Sequence, residues 1–231
     1  MEKYVIFDFD DTLVNNELLD FEGFKRPCNY FGIKPPSKNE ISLQRKEGLL
    51  AEEIIKNINK KTKKVFSITN FLNYRKNFLS SSESISYLRL KNNIQNLLSF
   101  LQKNGVICYL CSVRSNKKLI INFLINNNIR YYFSGIFIPQ DFKINIDNRN
   151  ISNRILIKTS LIKQILKKIS SNQIVFIGDS KEDFIAANKF LIKFILLPKH
   201  SFKNEFSDNV CIAFNINILK HKLIQLLQLQ K

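Results

Sequence analysis

Asp8, Asp10 and Asp11 stand together in K-Y-V-I-F-D-F-D-D-T-L-V-N, residues 3–15, directly after the apolar run Tyr4–Phe7. Carboxylates at this density can hold a hard cation through oxygen, or divide the work of nucleophile and proton carrier between them. Without a cation, neighbouring carboxylates oppose one another's ionisation. A second acidic set, G-D-S-K-E-D, places Gly178, Asp179 and Asp183 after another apolar run, Ile174–Ile177. A third run, Val106–Cys111, ends in Ser112. Read alone, each set also has a plain structural use. Asp11 or Thr12 would cap the helix that follows, and Gly178-Asp179 would make a turn.

The three sets acquire a common meaning from the elements that must carry them. Tyr4–Phe7, Val106–Cys111 and Ile174–Ile177 are short, β-prone and apolar throughout, as strands covered on both faces are. Further strands are expected over Tyr131–Ile138, Phe194–Leu197 and Val210–Phe214. Between them the apolar spacing predicts helices over 92–104, 117–127, 157–169, 182–190 and 218–229. Strand and helix alternating in this way imply a parallel sheet with helices on both faces, whose ligands gather at the C-terminal ends of the strands. Asp8 with Asp10, Ser112, and Asp179 with Asp183 would then share one edge. The stretch from the first strand to the second is far longer than a crossover requires. It reads as helices over 17–31, 38–46, 51–59 and 68–79, the second opened by the capping-box pair Ser37 and Glu40. The expected organisation is therefore an α/β protein, its core formed by residues 1–14 and 88–231, with a small helical insertion over 15–87.

With those residues in view, Asp-x-Asp-x-Thr-Leu after a strand and the later Gly178-Asp179-Ser180-Lys181-Glu182-Asp183 resemble the first and fourth motifs of the haloacid dehalogenase-like phosphohydrolases. The resemblance implies a Rossmann-like parallel core with a helical cap, and a phosphatase acting on a small phosphorylated metabolite. It implies Asp8 as nucleophile, Asp10 as acid and base, and Asp8, Asp10, Asp179 and Asp183 around Mg²⁺. Ser112 falls where the family's second motif donates a hydroxyl to phosphate, although Val113 replaces the Asn often found next. Lys158 falls where the third motif has a lysine before a helix, with Arg154 and Lys163 as alternatives. Asp11 replaces the commonest glycine of the first motif, and Asp tolerates left-handed backbone better than most residues. The two acids of that motif disfavour a dehalogenase. A phosphosugar mutase of the same family and a non-catalytic binding protein that keeps the fold remain the alternatives. The resemblance says nothing specific of the insertion, where Arg45, Lys46 and Gly48 are the most suggestive positions.

Composition excludes several other classes. A chain of 231 residues with 45% hydrophobic content buries a sizeable core, and no apolar run approaches the ~18 residues of a membrane span. Cys28, Cys108, Cys111 and Cys211 are expected to be reduced. Cys108 and Cys111 form a C-x-x-C of the kind that binds zinc or cycles a disulfide, but no second pair accompanies them and the run reads as strand. The expected setting is the cytoplasm. A net charge of +17 raises the question of nucleic acid. The lysines, however, are spread among Asn and Ile along the whole chain, so no specific nucleic-acid partner is expected, while anionic small substrates gain from the same field.

Overall fold

The computed structural model describes residues 1–62, 66–142, 151–169, 171–198 and 210–230. The described chain forms two compact units, Met1–Asn15 with Leu90–Lys231, and Asn16–Arg89. In chain order, the first unit begins with β1 (Lys3–Phe7) and β2 (Val14–Asn15). The second holds α1 (Glu17–Tyr30), α2 (Lys38–Lys46), α3 (Ala51–Lys61) and α4 (Ile68–Leu79). The chain returns through β3 (Arg89–Leu90) to α5 (Ile94–Lys103), β4 (Val106–Cys111), α6 (Lys117–Asn126) and β5 (Phe133–Phe137). It finishes with α7 (Ile151–Leu166), β6 (Ile174–Gly178), α8 (Lys181–Asn188), β7 (Lys193–Leu196), β8 (Cys211–Ile212) and α9 (Ile216–Leu227).

Six strands form one parallel sheet in the order β5-β4-β1-β6-β7-β8. The chain winds outward from β1 through β4 to β5, then returns to the other side of β1 at β6. That reversal puts the C-terminal end of β1 at a topological switch point, the usual ligand position in a Rossmann-like α/β sheet. Side chains alternate across the sheet. Tyr4, Ile6, Tyr109, Cys111 and Phe176 pack with Ile157, Leu161, Ile162 and Ile165 of α7 and with Ala186 and Ala187 of α8. Val5 and Phe7, fully buried, face the other way. Cys108 and Cys111, three apart on β4, therefore lie on opposite faces, and all four cysteines are free thiols. No helix among the described residues is long and apolar enough to cross a membrane.

The helical unit packs around Phe24, Cys28, Ile41, Ile54, Ile55, Ile58 and Phe71. Both halves of the capping box form: Glu40 N–H donates to Ser37 Oγ at 3.2 Å, and Ser37 N–H to Glu40 Oε2 at 2.7 Å. Gly48, at φ 84°, takes the left-handed turn after α2 that a residue with a side chain adopts only at a cost. Arg45 is committed within the unit: Nε and Nη2 donate to Asp20 of α1 at 2.8 and 2.9 Å, and Arg75 of α4 joins the same carboxylate. Lys46 is exposed.

Three expected elements differ. Arg130–Tyr132 form a 3₁₀ turn, so β5 starts at Phe133 rather than Tyr131. Arg130 Nη1 closes that turn on the Phe133 carbonyl at 2.7 Å and outweighs the β preference of two tyrosines. The strand expected over Val210–Phe214 is only Cys211–Ile212, a short edge with Phe214 exposed. α7 begins at Ile151 rather than Ile157: its first turns mix polar Ser152, Asn153 and Arg154 with half-buried Ile155 and exposed Leu156, and the buried stripe starts only at Ile157. Residues 143–150 of the polar stretch that has no sequence assignment lie outside the described residues.

Phe176 is fully buried at the centre of β6, its ring edge-on to Phe194 at 5.8 Å. Phe176→Ala should lower the unfolding free energy of the sheet unit by about 3–5 kcal/mol, measured by urea denaturation. A loss under about 1 kcal/mol would mean that β6 is not part of the core.

Candidate active site

Backbone hydrogen bonds carry the sheet one residue past its strands and fix the functional groups there. Phe7 stands level with Leu110 of β4 and Ile177 of β6. Asp8 N–H then donates to the Ile177 carbonyl at 2.9 Å, and Ser112 N–H to the Phe137 carbonyl at 3.0 Å. Asp8 follows Tyr4 and Ile6 in the alternation, so its side chain leaves on the face covered by α7. Asp11 turns the chain away at φ 53°, a left-handed conformation held by a non-glycine residue.

Lys158 lies inside α7, not ahead of the helix as its motif position implies, and on the same stripe as Leu161 and Ile162. An ammonium at a core position must be paired. Lys158 Nζ donates to Asp8 Oδ1, lies 2.8 Å from Asp183 Oδ1 and 3.4 Å from the Cys111 carbonyl, and sits over the Phe176 ring at 5.8 Å. The alternatives go elsewhere: Lys163 is exposed, and Arg154, one turn before Lys158, meets Glu182 at 3.7 Å.

Asp183 arrives from the first turn of α8. Ser180 caps that helix, accepting the Asp183 N–H at 3.2 Å and donating its own hydroxyl to Asp183 Oδ2 at 2.8 Å. Asp8, Asp179 and Asp183 each present a carboxylate oxygen within 4.8 Å of the other two, a group able to hold a metal ion. Asp183 Oδ1 is buried and, although close to Lys158, has no aligned hydrogen-bond donor. Gly178 makes room for this arrangement, since a Cβ there would fall 2.5 Å from Asp183 Oδ2 and 2.6 Å from its Cβ.

Asp10 is not in that group. Its carboxylate faces Arg114, whose Nε donates to Oδ2 at 2.9 Å and Oδ1 at 3.1 Å, and whose Nη2 donates to Oδ1 at 2.6 Å. Arg114 N–H also donates to Ser112 Oγ at 3.2 Å. Ser112 is fully buried, and neither of its contacts uses the hydroxyl proton. Arg114 is the residue at this edge that motif reading misses. Its only signal is its place two residues past Ser112, at the edge where the acids gather.

The electrostatics follow from burial and crowding. Burial pushes the Asp8 carboxyl up to about 7; Lys158 opposes this, and Asp183 and Asp10 add to it. Burial raises Asp179 well above the usual carboxylate range, with Asp11, Asp183 and Asp8 reinforcing it. For Lys158 burial works against the charge, yet Asp183 and Asp8 outweigh it and hold the ammonium well above its ordinary value. Arg114 is likewise raised, burial being overcome by Asp10. Acids and cations are both held above their ordinary values here, the mark of a place where carboxylates outnumber the cations that face them.

A family model described as haloacid dehalogenase-like hydrolase matches residues 5–197. No match is found among curated proteins. Solved structures of similar fold include a Clostridium difficile protein provisionally assigned as a phosphatase, 21% identical over 96% of this chain and 98% of that one, with a TM-score of 0.75. A subfamily IA hydrolase of the same superfamily from Geobacter sulfurreducens is 15% identical over 98% and 96% of the two chains, TM-score 0.68. CbbY from Rhodobacter sphaeroides, solved in complex with phosphate, is 16% identical over 93% and 95%, TM-score 0.64.

Gly178→Ala disturbs the three-acid group directly, because the added methyl would fall 2.6 Å from the Asp183 Cβ and 2.5 Å from its Oδ2. The variant should fold and bind Mg²⁺ about 10- to 100-fold more weakly by titration calorimetry. Unchanged affinity would mean that Asp183 does not hold the ion.

Proposed function

The chain belongs to the haloacid dehalogenase-like hydrolases, and from that membership we propose that it is a Mg²⁺-dependent phosphatase, hydrolysing a small phosphate monoester through an aspartyl-phosphate on Asp8. The observation that carries the reading is Asp8 itself. It is buried at the switch point, paired with Lys158 and flanked by Asp179 and Asp183. The donor set suits a hard divalent ion: oxygen ligands only, close together, with one buried oxygen lacking an aligned donor. Bound Mg²⁺, held by Asp8, Asp179 and Asp183, would offset the charge of the transferring phosphoryl group.

The remaining work falls to the chain's own groups. Lys158 opposes the burial that favours the protonated form of Asp8, and so supports the ionised carboxylate that a nucleophile requires. Ser112 donates its hydroxyl to a phosphate oxygen and so orients phosphorus toward Asp8. As Asp8 bonds to phosphorus, the ester P–O bond breaks, and Asp10 gives its proton to the leaving oxygen. Water then attacks phosphorus, Asp10 takes the water's proton, and the bond to Asp8 breaks to release orthophosphate. CbbY, which is of similar fold, is solved in complex with phosphate, and this supports the reading. The helical unit Asn16–Arg89 is read as the cap of the family.

Asp8→Asn replaces the nucleophile with a near-isosteric amide. It should abolish turnover of an aryl phosphate while circular dichroism stays unchanged. Asp10→Asn should slow the second step more than the first on that substrate, so that rapid quenching and mass analysis find phosphate on the Asp8 peptide. Retained activity in pure Asp8→Asn would refute the mechanism.

A further inference from the structure

The structure divides the cations near this site: Lys158 goes to Asp8 and Asp183, Arg154 to Glu182, and Arg114 to Asp10. The first division is already part of the proposed reaction. The last is not, and we propose that Arg114 is the positioning residue for the acid and base Asp10. The inference rests on the phosphatase reading.

Geometry carries it. Asp10 stands two residues beyond the nucleophile, past the end of β1, where the sheet ladder no longer fixes its direction. A carboxylate there has several rotamers, and Asp10 already adds to the charge that raises Asp8, so any that brings it nearer the three acids is costly. Arg114 prevents this with a guanidinium fork. Nε spans both oxygens and Nη2 takes Oδ1, so the fork fixes the plane of the carboxylate as well as its position.

The fork is itself held in place. Its backbone N–H is tied to Ser112 Oγ, and its guanidinium lies over the Phe9 ring at 5.6 Å, between the two acids of the first motif in sequence. Phe9 is fully buried and packs edge-on against Phe123 of α6 at 5.7 Å. One residue therefore links the phosphate-binding hydroxyl to the proton-carrying carboxylate. Misplacing a reacting group by about 1 Å can cost ~10²-fold in rate, which is the scale expected when such a link is lost.

The experiment compares wild type, Arg114→Gln, Arg114→Lys, Asp10→Asn and the double variant Arg114→Gln/Asp10→Asn on two substrates. The leaving group of p-nitrophenyl phosphate needs little protonation, and that of phenyl phosphate needs more. If Arg114 positions Asp10, Arg114→Gln lowers kcat/KM on phenyl phosphate by ~10- to 100-fold and on p-nitrophenyl phosphate less, since the leaving oxygen is protonated only in the first step, and phosphate accumulates on the Asp8 peptide with either ester. The double variant is no slower than Asp10→Asn alone. Arg114→Lys keeps the charge but loses the fork, and falls between wild type and Arg114→Gln; it decides the matter alone if circular dichroism shows that the Gln variant does not fold. A rise in KM at constant kcat, equal on both substrates, would instead make Arg114 a phosphate ligand and overturn the inference. So would additive losses in the double variant, or full activity in both single ones. A wild type inactive on both esters would overturn the phosphatase reading, and this inference with it, whereas an active wild type with any of the preceding outcomes would overturn the inference alone.

Discussion

Everything at the sheet edge is arranged around one buried ammonium. Lys158 sits where an apolar side chain would otherwise complete the α7 stripe, and it is tolerable there only because Asp8 and Asp183 meet it. Their dependence is mutual. Removing the lysine would leave carboxylates facing one another at low dielectric, where one of them would hold its proton. A single lysine cannot balance Asp8, Asp179 and Asp183, and the raised Asp8 and Asp179 express that deficit. A divalent ion is the simplest remedy for such a deficit.

The fold makes this crowding possible by spreading its causes along the chain. Asp8 is fixed by β1, Asp179 and Asp183 by the turn from β6 into α8, Lys158 by α7 and Ser112 by β4. Each of these elements is stabilised by ordinary apolar burial, so the few costly polar groups ride on an unstrained scaffold. Gly178 shows how tight the fit is, because a single methyl at that position has no room beside Asp183.

The parts of this site that could be read from the sequence are those whose signal is local. Asp8 and Gly178-Asp179 each follow an uninterrupted apolar strand, so the change from apolar run to acid marks both the end of the strand and the chemistry. The sheet was legible for the same reason, since buried parallel strands are apolar throughout. Arg114 was not, because its meaning lies in a partner 104 residues away. Lys158 was placed by the motif resemblance, beside Arg154 and Lys163 in a chain with 36 basic residues, while its burial depends on the phase of a helix that begins earlier than the sequence suggests. Short edge elements also misled: the tyrosines before β5 favour a strand in isolation, yet a single arginine turns them into a 3₁₀ segment.

The claim on which the account depends is that Asp8, Asp179 and Asp183 share a divalent ion. Calorimetric titration of Mg²⁺ at pH 7, repeated in two buffers of different ionisation enthalpy, tests it directly. With Asp8 near 7 in the absence of the ion, it carries a proton for part of the time at that pH, and the ion must displace that proton to bind. The account predicts one bound ion and a heat that changes between the buffers in the direction of proton release. No binding, or binding whose heat is the same in both buffers, would contradict it.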